Sequence, residues 1–150
     1  MLFTGTFKRS VDENQRVAIP KRLRNLFDSE TKSHLIVAPG TDGSLALYTE
    51  TGFSDLASRL GLASPTKQDV RAFSRVFYAQ AERVELDGQG RVRLPAELLQ
   101  LAGLKNEAIL VGVGNHLELW EPTRWEAYLA EKQDRYDEIA ERAFGSATED

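Results

Sequence analysis

The chain has 150 residues, 41% hydrophobic and 28% charged, with a formal net charge of -4 and no cysteine. That allows one ordinary domain or two small units sharing a core, and it fits neither a disordered nor a membrane protein. Without cysteine there is no disulfide, thiol catalysis or Cys-ligated metal, and two histidines do not make a metal centre unaided, so no cofactor or metal is expected.

The elements follow in two similar series. A strand with polar-to-apolar alternation enters Asp12-Glu13-Asn14-Gln15-Arg16, and a second short strand leaves through Val17 and Ile19. Pro20 stands where proline is tolerated, at a strand end or first helical turn, ahead of a short helix over residues 21–27. Two strands follow over 35–38 and 44–48, joined by a turn containing Gly40-Thr41-Asp42-Gly43. A helix over 52–60 has Phe53, Leu56, Ala57 and Leu60 on one face. Ser64-Pro65 then signals the start of a helix over 66–81, with Val70, Phe73, Val76, Phe77 and Ala81 at helical spacing. The second series repeats the first: the turn Asp87-Gly88-Gln89-Gly90-Arg91, a strand through Val92 and Leu94, Pro95, and a helix over 96–102 stopped by Gly103. Strands over 108–112 and 117–120 flank Gly114-Asn115-His116. The last helix is expected over 124–143, with Thr123 as cap and Glu126 completing a capping box, before a frayed end.

The repeat is explicit in the residues. Residues 11–20 match 86–95 at an offset of 75, and Leu45-Ala46-Leu47-Tyr48 matches Leu117-Glu118-Leu119-Trp120 at 72. Four short strands and a short helix make a marginal core alone. Two copies folded face to face predict a mostly β protein with added helices, a closed or partly closed pseudo-two-fold barrel that hides its sheet edges.

An acidic total argues against a nucleic-acid partner, since phosphate binding leaves a basic footprint. The distribution removes that objection: residues 1–34 carry +3, residues 35–117 carry -1 and residues 118–150 carry -6. Lys8 and Arg9 precede the first turn, and Lys21, Arg22 and Arg24 follow it. The second turn has Arg83, Arg91 and Arg93 among Glu82, Glu85, Asp87 and Glu97. Two readings of each Asp-x-x-x-Arg turn stay open. The aspartate can brace the turn and its arginine internally, or the guanidinium fork can meet a phosphate or a guanine edge.

The opening MLFTGTF, the paired VDENQRVAIPKRLR and LDGQGRVRLPAELL, the segment AGLKNEAILVGVGNHLELW and the following TRWEAYL together resemble the MraZ family of bacterial transcriptional regulators, over nearly the whole chain. The resemblance implies a double-repeat swapped-hairpin β-barrel of the AbrB-like kind. It implies a first SpoVT–AbrB-like repeat over 1–62, a connecting helix over 63–81, a second repeat over 82–125, and a C-terminal helix with an acidic tail over 126–150. It implies a homo-oligomeric ring, nucleoid-associated in the cytoplasm, that binds double-stranded promoter DNA with repeated short sites. The promoter is that of the division and cell-wall gene cluster, and the regulator represses it and its own gene. Arg16 and Arg91 are the implied DNA contacts, helped by Lys8, Arg9, Lys21 and Arg22, with Asp12 and Asp87 organising the turns. At position 15 the first copy carries glutamine where glycine is the commoner form, which bears on the geometry of that turn.

The alternative is an antitoxin-like protein-interaction module on the same fold. Catalysis is not expected: no nucleophile pair, dinucleotide fingerprint or phosphate-cradling loop with lysine is present. With no catalytic constellation, no small-molecule substrate is expected, and the start MLFTGTFKRS has no long apolar region before its basic residues, so no membrane partner is expected.

Overall fold

A computed structural model describes residues 2–27 and 33–145. Asp28, Glu30 and Lys32 of the basic head, and residues 146–150 of the expected frayed end, lie outside the described residues. In chain order the elements are β1 (Thr6–Ser10), β2 (Arg16–Ala18), α1 (Lys21–Arg24), β3 (His34–Pro39), β4 (Leu45–Tyr48), α2 (Glu50–Gly61), α3 (Gln68–Gln80), β5 (Glu82–Glu85), β6 (Arg91–Arg93), α4 (Ala96–Leu101), β7 (Glu107–Gly112), β8 (Leu117–Trp120), α5 (Pro122–Gln133) and α6 (Tyr136–Gly145).

Local chemistry explains most of the boundaries. Helix α2 starts where Thr49 Oγ1 accepts the Gly52 N–H at 3.0 Å. Helix α4 ends in a Schellman arrangement: Gly103 has φ 68, its N–H donates to Gln100 O, and Leu104 N–H donates to Leu99 O at 2.9 Å. Asp42 and Gly43 have φ 58 and 88, the paired positive angles of the tight turn between β3 and β4, which is closed by the Ser44 N–H donating to Thr41 O at 3.1 Å.

Three helix starts differ from the sequence expectation; α2 begins at Glu50 and not residue 52, because Thr49 is its cap. The last helical region is two helices, and its cap is Glu121, whose Oε1 accepts the Arg124 N–H at 2.9 Å. Pro122 takes the first helical position, which displaces Thr123 from the cap. The chain tightens at Arg135, whose N–H donates to Lys132 O before α6 begins. Residues 128–143 therefore share no single apolar stripe. Helix α3 begins at Gln68, not Thr66, because Ser64 and Thr66 bond each other at 2.7 Å in a preceding turn.

The strands form two antiparallel sheets, one of six strands ordered β1-β7-β8-β4-β3-β5 and one of two, β2-β6. Hairpins β3-β4 and β7-β8 meet at the centre, with Leu45 opposite Leu119 and Leu47 opposite Leu117. Each half lends its leading strand to the other half's hairpin, β1 pairing with β7 and β5 with β3. The expected mostly β barrel is not formed. The six-stranded sheet is open, β1 and β5 lie at opposite edges, and the helices hold more residues than the strands.

Layering, rather than closure, buries the apolar faces. Leu45, Leu47, Leu117 and Leu119 join a core with Val17, Ile19 and Leu23 from one half and Val92, Leu94 and Leu98 from the other. Burial of each of these side chains contributes about 2 kcal/mol. Alternation puts Tyr48 and Trp120 on the opposite face. There Tyr48 meets Phe53 and Phe77, and Trp120 meets Trp125 and Tyr128. Helices α2 and α3 thus cover the first hairpin, while α5 packs on β7.

Candidate nucleic-acid interface

Strands β2 and β6 form a short antiparallel ribbon, with Arg16 opposite Arg93, Val17 opposite Val92 and Ala18 opposite Arg91. Val17 and Val92 are fully buried, so the period of two turns Arg16, Ala18, Arg91 and Arg93 to the other face. The ribbon is stitched at both ends across the halves. Leu94 N–H donates to Gln15 O, and Ile19 N–H donates to Gly90 O, each at 2.9 Å.

The two turns carry the same bonding pattern. Asp12 Oδ1 accepts the N–H groups of Asn14 and Arg16 at 2.9 Å, while Oδ2 accepts Arg16 Nε at 3.0 Å. Asp87 Oδ1 accepts Gln89 N–H at 2.9 Å and Arg91 N–H at 3.0 Å, and its Oδ2 accepts Arg91 Nε at 2.8 Å. The ribbon then brings the turns together: Arg16 Nη1 lies 4.0 Å from Asp87 Oδ2, and Arg91 Nη1 lies 3.9 Å from Asp12 Oδ2. Two carboxylates and two guanidinium groups thus alternate around one patch. The Arg16 backbone N–H, with Asn14 N–H and the Arg16 side chain, holds the Asp12 carboxyl below its usual range. The Arg91 backbone N–H leads the same effect at Asp87. Each arginine engages its Nε edge internally and still exposes between a quarter and a third of its side chain.

The copies differ at the fourth turn residue. Gln15 has φ 65 and Gly90 has φ 78, both in the left-handed region. A residue with a Cβ gives up about 1 kcal/mol there, yet Gln15 N–H still donates to Asp12 O at 2.9 Å, as Gly90 N–H does to Asp87 O at 3.0 Å. Space separates the two positions. A Cβ at Gly90 would lie 2.5 Å from Arg24 Nε, which is anchored on Ile19 O at 2.9 Å. Gln15 instead lines a cavity with Leu99, the repeat equivalent of Arg24.

Among the described residues, the remaining basic residues make no ion pair with these two carboxylates, and they do not form one cluster with the turn arginines. Lys8 is exposed on β1, where it pairs with Glu107 at 3.1 Å; its register opposite Ile109, which in turn faces Trp120, puts it on the sheet face away from the ribbon. Arg9 Nε donates to Lys8 O, and Lys21 is exposed at the start of α1. Arg22 donates to Thr4 O at 3.0 Å and stacks 5.1 Å from the Phe7 ring centre, tying α1 to the N-terminal strand. Arg24 lies outside the sequence-derived set, although it packs against Gly90 of the second turn. Its role depends on a contact between halves that has no local signature. Arg93 lies outside that set too, and its spacing of two from Arg91 on a strand was the available signal. His34 is buried, with Nε2 2.7 Å from Glu50 Oε2, and His116 stacks on Tyr48. Among the described residues no cluster of three His, Asp or Glu side chains is disposed to hold a metal. No described helix is long and apolar enough to cross a membrane.

Comparison with known proteins identifies the family of the chain. A family model described as "MraZ protein, putative antitoxin-like" matches the chain twice, over residues 2–76 and 77–147. A protein of Alkaliphilus oremlandii named "Transcriptional regulator MraZ" is 38% identical over 141 residues, covering 94% of this chain and 96% of its own length. Proteins of the same name from Ligilactobacillus salivarius and Thermomicrobium roseum are 37% and 40% identical. They cover 93% and 84% of this chain, and 95% and 86% of their own lengths. With both repeats matched and nearly the whole length aligned, the chain belongs to the MraZ family.

Proposed function

We infer that the protein is a DNA-binding transcriptional regulator that presents the β2-β6 ribbon to promoter DNA and performs no catalysis. The observation that carries this is the pairing of Arg16 and Arg91 on the outward face of a two-stranded ribbon, an element that a major groove admits. Asp12 and Asp87 hold the guanidinium groups by their Nε edges, so the Nη groups are oriented before DNA arrives. Arg16 and Arg91 read base edges or clamp phosphate, and Arg9, Lys21 and Arg22 meet the flanking backbone.

Copies of the chain assemble into a ring, which offers several ribbons to repeated short sites and raises the effective concentration of each. Exposed apolar side chains support that assembly: Phe73 and Val76 on α3 are 46% and 58% exposed, and Phe144 on α6 is 82% exposed. The regulated promoter is that of the division and cell-wall gene cluster, repressed together with the protein's own gene.

The test is Arg16→Ala, titrated against a duplex carrying the repeated promoter sites over a salt series. Binding should weaken roughly tenfold or more while the assembly persists. Unchanged affinity with an intact assembly overturns the assignment. The antitoxin-like reading is echoed in the family description; a stable co-purifying partner protein, combined with no duplex affinity, would favour it instead.

A further inference from the structure

We propose that Arg93 completes a phosphate clamp with Arg16, making the Arg16 end of the ribbon the dominant DNA contact of each subunit. This rests on the DNA-binding reading above and assigns a residue and a polarity to it.

Register supplies the first reason. The bonds Leu94–Gln15 and Ile19–Gly90 fix those positions, and Val17–Val92 between them, as the hydrogen-bonded pairs of the ribbon. Arg16–Arg93 and Ala18–Arg91 are therefore the non-hydrogen-bonded pairs, whose Cα atoms approach to about 4.5 Å with side chains closest. Like charges directly opposite on such a pair destabilise a sheet.

Pairing supplies the second. Arg16 has Asp12 at 3.0 Å and Asp87 at 4.0 Å, whereas Arg93 is exposed and its guanidinium makes no ion pair or hydrogen bond with another described residue. The outward face of the ribbon thus holds three guanidinium groups against the two turn carboxylates. The surplus charge sits beside Arg16.

The repeat supplies the third. The equivalent of Arg93 is Ala18, which stands opposite Arg91 in the same close-pair geometry. The fold therefore meets the same position with a methyl group in one half, so packing does not require arginine in the other. An anion bridging Arg16 and Arg93 removes the repulsion and uses two guanidinium forks on a group with several acceptor oxygens. A DNA phosphate fits an open ribbon face that already carries the proposed reading arginines.

The experiment compares the full chain with Arg93→Ala and Ala18→Arg on the duplex described above, over a salt series, with thermal unfolding in the absence of DNA. Arg93→Ala should weaken duplex binding roughly tenfold and lower the slope of log affinity against log salt by about one. Its unfolding midpoint should rise by about 1–3 °C as the like-charge pair is removed. Ala18→Arg should do the reverse on both measurements. Inorganic phosphate alone should leave the wild-type midpoint unchanged; saturable stabilisation that Arg93→Ala abolishes would make a free anion, not DNA, the ligand. Wild-type affinity and slope in Arg93→Ala, while Arg16→Ala weakens binding, overturn the clamp and leave the DNA reading standing. A fall in the Arg93→Ala midpoint overturns it by showing a structural role. No duplex affinity in the wild type overturns both.

Discussion

The turn at Asp12–Arg16 and the turn at Asp87–Arg91 share one bonding pattern but sit in different surroundings. In each, a carboxylate accepts two backbone N–H groups and one guanidinium Nε. Beyond that pattern the halves diverge. Helix α1 reads KRLR, while the equivalent part of α4 reads AELL. Before β1 the chain is extended, and Phe3 bridges to Gly114 past the end of β7; before β5 the chain is helix α3. The difference shows which features the repeat preserves. Bonds within the turn fix its shape, whereas residues outside it set its charge and what packs against it.

Substitutions at equivalent glycines should separate the halves most. A Cβ on Gly112 would stand 2.5 Å from Thr4 N and 2.6 Å from the Phe3 carbonyl carbon, both backbone atoms of the extended N-terminal segment. Gly112→Ala should cost about 3 kcal/mol in chemical denaturation, because only a shift of main chain makes room. The equivalent Gly40 first meets the Ser44 hydroxyl, so Gly40→Ala should cost about 1 kcal/mol. Equal losses would break the contrast between the two halves at these positions.

A smaller contrast is expected at the fourth turn residue. Gly90→Ala adds a strained φ to a clash with the anchored Arg24 and should cost about 2 kcal/mol. Gln15→Gly relieves the same strain without a clash and should stabilise by about 0.5 kcal/mol, the gain being reduced by the entropy of unfolded glycine. Both are read from denaturation midpoints.

The smallest contrast is expected between the aspartates. Folding lowers the carboxyl pKa of Asp12 and of Asp87, with the backbone N–H of the following arginine as the leading cause in each. A lowered folded value means that the contribution is fully present above the ordinary aspartate range and is lost as pH falls through the folded value. Asp12→Asn and Asp87→Asn should therefore flatten the acid limb of a midpoint-against-pH curve to the same extent. Unequal flattening would show that the cross-ribbon contacts, at 4.0 and 3.9 Å, are not equivalent.

Much of this organisation was legible in the residues. The offsets of 75 and 72, the Asp-x-x-x-Arg turns, Gly103 as a helix stop and Asp42-Gly43 as a turn are local patterns. Turn and cap chemistry act over a few residues, so they can be read without a partner. Thr123 misled because two nearby groups compete for one cap, and Pro122 with Glu121 satisfies the first turn better. The candidate arginines were visible as types and spacings. Their common patch was not, since Arg16 reaches Asp87 only through pairing of strands 75 residues apart.

Sequence alone determined the repeat, the order of the elements up to the last helical region and the positions of both turns, because periodicity and turn preference are properties of neighbouring residues. Only the tertiary structure decided that the sheet stays open. Closure depends on whether distant edge strands meet, and here the β2-β6 ribbon with α1 and α4 buries one face while α2, α3 and α5 cover the other. It also decided that Arg93 stands opposite Arg16. Register is set by which side chains are buried on both strands at once, and the burial of Val17 against Val92 fixes that choice for every residue beside them.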